Sequence, residues 1–226
     1  MLRVIWSFSH NFLRSVYFIN TMPKGFTTKE KKIIKKSLID KATDLFGIYG
    51  VKKTNVEQIT SAVGIAKGSF YLFYNSKEEL FMDVLKKTEK KLIKEMRNLL
   101  KNIKQNPKES FKNFIKFQIN APKENPIIQQ IADKNTRDYL FRKVSNIPNI
   151  EQYLQTYEYL PLFIKGWQKD GIIIDKDPEI LAGILKAIFT IGLDDITIEY
   201  IGREKFPEVI ENLVEIITDY MIKDNK

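Results

Sequence analysis

The chemistry available to this 226-residue chain is narrow. It has no cysteine, which excludes disulfides, thiolate zinc sites, iron–sulfur clusters and a cysteine nucleophile. Its one histidine is His10, so a catalytic triad or a histidine-built metal site would hang on a single residue near the N-terminus. Asp194 and Asp195 could seat a cation or act as an acid pair, or one could cap a neighbouring helix or face solvent. No phosphate-cradling glycine loop is present, because Gly64-Ile65-Ala66-Lys67-Gly68 matches neither G-x-G-x-x-G nor the P-loop spacing. The chain is rich instead in donors set close together: Thr54, Lys67, Ser69, Tyr71 and Lys77, with Gly68 among them. Groups of this kind touch phosphates and base edges. We expect no catalytic residue, no metal, no cofactor and no enzymatic activity.

Charge is distributed in the same sense. The net charge is +9. Residues 23–77 hold eleven lysines against four acids, whereas residues 78–226 hold 24 basic and 24 acidic residues. A basic segment joined to a neutral one is the electrostatic signature of a polyanion-binding module.

These donors need elements to place them. Ile34, Leu38, Ala42, Leu45 and Phe46 recur at helical spacing, predicting a helix from about Thr28 to Phe46 that stops near Gly47–Gly50. Thr54-Asn55-Val56-Glu57 reads as a capping box, with Thr54 as cap and Glu57 reaching back. Val56, Ile59, Ala62 and Val63 form the apolar face of the short helix that follows, and Gly64 suits a left-handed turn. A second short helix is expected from Lys67 to about Tyr74, with Phe70 and Tyr74 facing the core. Ser76-Lys77-Glu78-Glu79 is another capping box, opening a long helix that ends before Asn106-Pro107. Two short helices joined by a glycine turn after a packing helix make a helix-turn-helix. Its second helix would enter the major groove N-terminus first.

Over residues 28–81 the chain resembles the tetracycline-repressor (TetR) family of bacterial regulators. The likeness rests on Thr54-Asn55-Val56-Glu57-Gln58-Ile59, Val63-Gly64-Ile65-Ala66-Lys67-Gly68-Ser69-Phe70-Tyr71 and Tyr74-Asn75-Ser76-Lys77-Glu78-Glu79-Leu80-Phe81. By resemblance, Thr54, Lys67, Gly68, Ser69, Tyr71, Phe73 and Lys77 contact double-stranded DNA at a pseudo-palindromic operator. The resemblance also implies a cytoplasmic homodimeric repressor that a small molecule releases, the long helix from Lys77 carrying the motion. A DNA-binding regulator that is not ligand-gated, constitutive or activating, is the alternative. Three positions depart from the family pattern. Ala66 replaces the usual serine before the recognition helix and forfeits an N-cap worth ~1 kcal/mol. Phe73 replaces His or Tyr and cannot hydrogen-bond a phosphate. Tyr74 replaces Phe, so the phosphate contact is either lost or partly taken over by Tyr74.

The expected fold is all-α, with an N-terminal extension (residues 1–22), a helix-turn-helix domain (23–77) and a larger helical ligand-binding and dimerisation domain (78–226). Residues 1–22 contain no 18-residue apolar span and no signal-peptide cleavage pattern. They read either as a membrane-surface amphipathic stretch or as an over-called start upstream of Met22; no membrane partner is expected. Helices should open near Pro107, Pro126, Pro178 and Pro207, with another from about Ile150 to Asp170 kinked at Pro161. Ile172-Ile173-Ile174 is too short for a sheet. The stretch Pro178–Ile201 is apolar nearly all round, and the last helix carries Ile210, Leu213, Val214, Ile217 and Met221 on one stripe. Across a two-fold axis, helices 178–201 and 207–222 would form a four-helix dimer bundle. Phe114, Phe117, Tyr139, Tyr157, Phe163, Trp167 and Phe189 are candidates for the wall of an apolar or aromatic effector pocket.

Overall fold

The computed structural model describes residues 25–145 and 160–223, and their helices make the fold all-α. The described residues fall into two units divided between Ser37 and Leu38. In the first, the Thr27 hydroxyl accepts from the Glu30 amide (3.2 Å) and the Glu30 carboxylate accepts from the Thr27 amide (2.7 Å). This reciprocal cap opens helix α1 (Thr28–Lys53) and holds the Glu30 carboxyl below its usual range.

In the second unit α1 buries Leu38, Ala42 and Phe46, one residue per turn. The helix is interrupted at Gly50, whose φ of 77° and ψ of 157° are not helical. Val51 beyond the break is buried again. Helix α2 (Val56–Val63) ends at Gly64, left-handed at φ 77°, where the Gly64 and Ile65 amides both donate to the Thr60 carbonyl. This is the glycine turn expected from the sequence. Helix α3 (Lys67–Phe70) is shorter than expected. After Phe70 the chain tightens into turns in which Leu72 N donates to Ser69 O and Phe73 N to Phe70 O. Helix α4 (Lys77–Leu99) spans about 35 Å. It passes into a 3-10 turn at Leu100–Asn102, several residues before the expected end. Phe46 and Phe81 meet edge to face at 5.3 Å, tying α1 to α4.

The proline-opened helices are all present: α5 (Pro107–Glu124), α6 (Pro126–Ala132), and, further on, two that begin at Pro178 and one residue before Pro207. Between them lie α7 (Lys134–Val144), capped by the Asp133 carboxylate on the Thr136 amide, and α8 (Leu160–Lys169). Residues 150–159 of the helix expected around Pro161 fall outside the described residues; Pro161 itself is the second residue of α8.

The expected helix Pro178–Ile201 is two helices, α9 (Pro178–Ile191) and α10 (Asp195–Ile201). The break has a local cause. Asp194 leaves helical geometry to cap α10, its carboxylate accepting from the Thr197 amide (3.0 Å) and hydroxyl. Of the roles open to the Asp194-Asp195 pair, Asp194 therefore takes helix capping. Gly192 just before it is required for close approach, since a Cβ there would lie 2.6 Å from Ile119 Cγ2 on α5. Helix α11 (Phe206–Met221) closes the fold, and Ile173 pairs with Ile222 as an isolated antiparallel bridge.

The body core joins α4, α5, α8, α9 and α11 around Phe111, Phe114, Ile164, Leu185, Phe189 and Val214. Helices α5 and α11 run antiparallel, and Lys108, Lys112 and Lys116 pair with Asp219, Glu215 and Glu211 in turn. One rung every four residues fixes one flank of α11. The opposite flank leaves Ile216 and Tyr220 exposed.

Candidate DNA-reading site and the aromatic cluster

Asn55, not Thr54, caps α2. The Asn55 side chain accepts from the Gln58 amide and the Gln58 side chain accepts from the Asn55 amide, both at 2.9 Å. The capping box thus lies one residue later than the sequence reading placed it. Glu57 does not reach back; it sits 3.6 Å from the Lys67 ammonium. Thr54 is 0% exposed, and its hydroxyl donates to the carbonyls of Gly50 (2.9 Å) and Leu45 (3.3 Å). The side chain is placed to lock the end of α1 rather than to reach DNA.

The other expected contacts fall into two groups. Lys67, Gly68 and Tyr71 are exposed, Tyr71 by 55%, and Ser69 is partly exposed beside them. They share one short surface at the start of α3, whose N-cap Ala66 makes no side-chain hydrogen bond. Lys77 is turned inward. Its ammonium donates to the carbonyls of Lys52 (2.9 Å) and Thr54 (2.7 Å) and lies 3.9 Å from the Glu78 carboxylate. Burial lowers its pKa, against the pull of Glu78, and Lys143 lowers it further.

Phe70 is fully buried and Tyr74 nearly so. The Tyr74 hydroxyl donates to Asp83 at 2.9 Å, and burial with this bond raises its pKa far above the ordinary tyrosine value. It is therefore not positioned to replace the phosphate contact that Phe73 lacks. Phe73 is itself half-buried.

The candidate effector residues do not form one group. Trp167 meets Phe114 (5.5 Å), Phe111 (5.8 Å) and Phe163 (5.9 Å) edge to face, and Phe114 meets Phe189 at 6.2 Å. Phe117 packs on the edge of this cluster. Tyr139 lies elsewhere, on α7. Its hydroxyl donates to Glu78 and its ring sits under the Lys52 ammonium at 5.7 Å. Tyr157 lies outside the described residues.

Residues 38–84 match the family described as bacterial regulatory proteins, tetR family. This span covers α2, the glycine turn, α3 and the exposed Lys67–Tyr71 surface. Residues 38–84 are a helix-turn-helix of the TetR family. TetR-family regulators bind DNA and are not enzymes. The uncharacterized HTH-type transcriptional regulator YhgD of Bacillus subtilis is 24% identical over 197 residues, covering 84% of this chain and 95% of its own. Among solved structures, a TetR-family regulator from Pectobacterium atrosepticum superposes with a TM-score of 0.60 at 16% identity, over 88% of this chain and 100% of that one. One from Haemophilus influenzae gives 0.51 at 18% identity, over 85% and 98%. These likenesses extend the TetR fold from the matched segment to the helical body. No helix of the described residues is long and apolar enough to cross a membrane.

Proposed function

We propose that this TetR regulator is a cytoplasmic homodimeric repressor that reads a pseudo-palindromic operator through Lys67, Gly68, Ser69 and Tyr71. The observation carrying this reading is the exposed donor surface at the start of α3, whereas the Thr54 hydroxyl and the Lys77 ammonium are engaged within the fold. Lys77 and Thr54 act one step back, holding the end of α1 against α4. Dimerisation would use α9 and α11. On α9 the residues Ile180, Gly183 and Ala187 are exposed at helical spacing, and Ile216 and Tyr220 are exposed on α11. Apolar and small residues repeated on two adjacent helices suit a two-fold four-helix contact.

Binding to the DNA just upstream of the protein's own gene, with unrelated DNA as competitor across a salt series, tests the reading. Competitor-resistant, salt-sensitive binding supports a specific site; equal loss on both DNAs leaves only the basic surface. Ile216→Glu should convert the dimer to monomer in light scattering and weaken operator binding with it.

Release by a small apolar or aromatic molecule is the reading for the body. The packing of Trp167 edge to face on Phe111 and Phe114, and of Phe114 edge to face on Phe189, favours a second one, a regulator that no ligand gates. Trp167 separates them. An effector entering this cluster must change its fluorescence and lower operator affinity together, whereas an ungated regulator shows neither change with any apolar compound.

A further inference from the structure

The interruption of α1 at Gly50 is completed by a residue from the body. With Gly50 at φ 77° and ψ 157°, the amide of Val51 turns out of the helix, and Val51 is buried, so that donor needs a partner. The partner is Gln130 on α6. Its side-chain Oε1 accepts from the Val51 amide at 2.7 Å, and its Nε2 donates to the Phe46 carbonyl at 2.9 Å. Nε2 also donates to the Pro126 carbonyl one turn earlier in α6 (2.9 Å), which fixes the side chain to its own helix. The primary amide lies across the break as a substitute peptide group, accepting on one side and donating on the other.

The segment held in this way leads directly into the helix-turn-helix. Between Gly50 and Asn55 the backbone is clasped from three directions. Gln130 takes Val51, Thr54 bonds back to Gly50, and Lys77 takes the carbonyls of Lys52 and Thr54. Asn55 then caps α2. A shift of α6 therefore acts on the start of α2 through one side chain. The chemistry demanded is specific. Only a side chain with a donor and an acceptor on one planar end fills both places; a carboxylate lacks the donor, and asparagine is one methylene shorter.

We propose that Gln130 is a positioning residue for DNA binding, coupling the placement of α6 to that of the helix-turn-helix by completing the break in α1. This rests on the DNA-binding reading above.

The test uses full-length protein, the upstream duplex with unrelated competitor DNA, and hydrogen exchange at the Val51 amide. Gln130→Met should lower affinity about 10-fold, the loss expected for breaking a pair of part-buried hydrogen bonds, and speed Val51 exchange at least as much, with dimer mass and helix content unchanged. Gln130→Glu keeps the acceptor and, at neutral pH, lacks the donor toward Phe46. It should bind as weakly as the methionine variant at pH 7 and recover relative to wild type as its carboxyl protonates near pH 5. A purely structural lesion gives no such recovery. Unchanged affinity in Gln130→Met beside intact wild-type binding overturns the inference alone, as does unchanged Val51 exchange. Absence of wild-type binding to any duplex, with Tyr71→Ala indistinguishable from it, overturns the DNA reading and this inference together.

Discussion

The Lys77 ammonium donates to the Thr54 carbonyl at 2.7 Å, across 23 residues of sequence. Together with its bond to the Lys52 carbonyl, this places a cation over the last carbonyls of α1. That end of a helix carries partial negative charge, and its carbonyls lack intrahelical donors. Lys77→Met should therefore destabilise the protein by about 1.5–3 kcal/mol in thermal or denaturant unfolding, since two charge-assisted bonds are lost together. A variant that unfolds like wild type but binds DNA weakly would instead make Lys77 a phosphate contact.

Tyr71 predicts the opposite pattern. It is exposed and its hydroxyl has no assigned bond within the described residues. Tyr71→Ala should leave the unfolding midpoint within the ordinary scatter of surface substitutions, about 0.5 kcal/mol. Operator affinity in gel shift should fall by ~1–3 kcal/mol.

The register of the first cap can be read by paired substitutions. Asn55→Ala should cost about 1 kcal/mol of stability, while Glu57→Ala, outside the cap, should cost little. Conversely, Ala66 already has N-cap backbone angles (φ −66°, ψ 145°) without a capping side chain. Ala66→Ser should raise stability by about 0.5–1 kcal/mol in the same unfolding experiment.

Tyr74 makes a pH prediction. The fold raises the pKa of its hydroxyl above the ordinary value of 10.0. Below pH 10 the hydroxyl is neutral in both states and the bond to Asp83 contributes fully. Above it the unfolded chain ionises first, so this contribution falls by about 1.4 kcal/mol per pH unit. Tyr74→Phe should be less stable than wild type at pH 7–9 and close the gap as pH rises beyond 10. Parallel stability curves through that range would exclude the mechanism.

Much of this architecture was legible in the residues. Gly64, Ser76 and the prolines at 107, 126, 178 and 207 mark turns and helix starts because their backbone or capping demands are local. What escaped depends on neighbours far along the chain. Thr54 and Asn55 are both good caps, and only the burial of Thr54 against Leu45 and Gly50 decides between them. Asp194 is the exception, a local cap on Thr197 that lies inside a hydrophobic run and so leaves no mark on its hydropathy. Gln130 carried no signal, since its importance comes from Gly50, 80 positions away. The charge balance of residues 78–226 also concealed structure. Residues 86–104 hold eight basic residues and two acids, offset by acids nearer the C-terminus. Averaging over a window that long erased a basic stretch that begins midway along α4 and runs past its end.

The lysine–acid rungs between α5 and α11 repeat at the same interval on both helices, and this has a mechanical consequence. Sliding α11 by one turn toward one end brings Lys112 opposite Asp219 and Lys116 opposite Glu215, so two of the three rungs re-form, while Lys108 meets Lys223. Sliding the other way also keeps two rungs, pairing Lys108 with Glu215 and Lys112 with Glu211, without that repulsion. The ladder is thus a ratchet with unequal teeth, permissive in one direction. Beneath the ladder lie the core side chains Phe111, Phe114 and Val214, and loosening that layer would let α11 slide along α5 by a helical turn with little electrostatic resistance in the permissive direction.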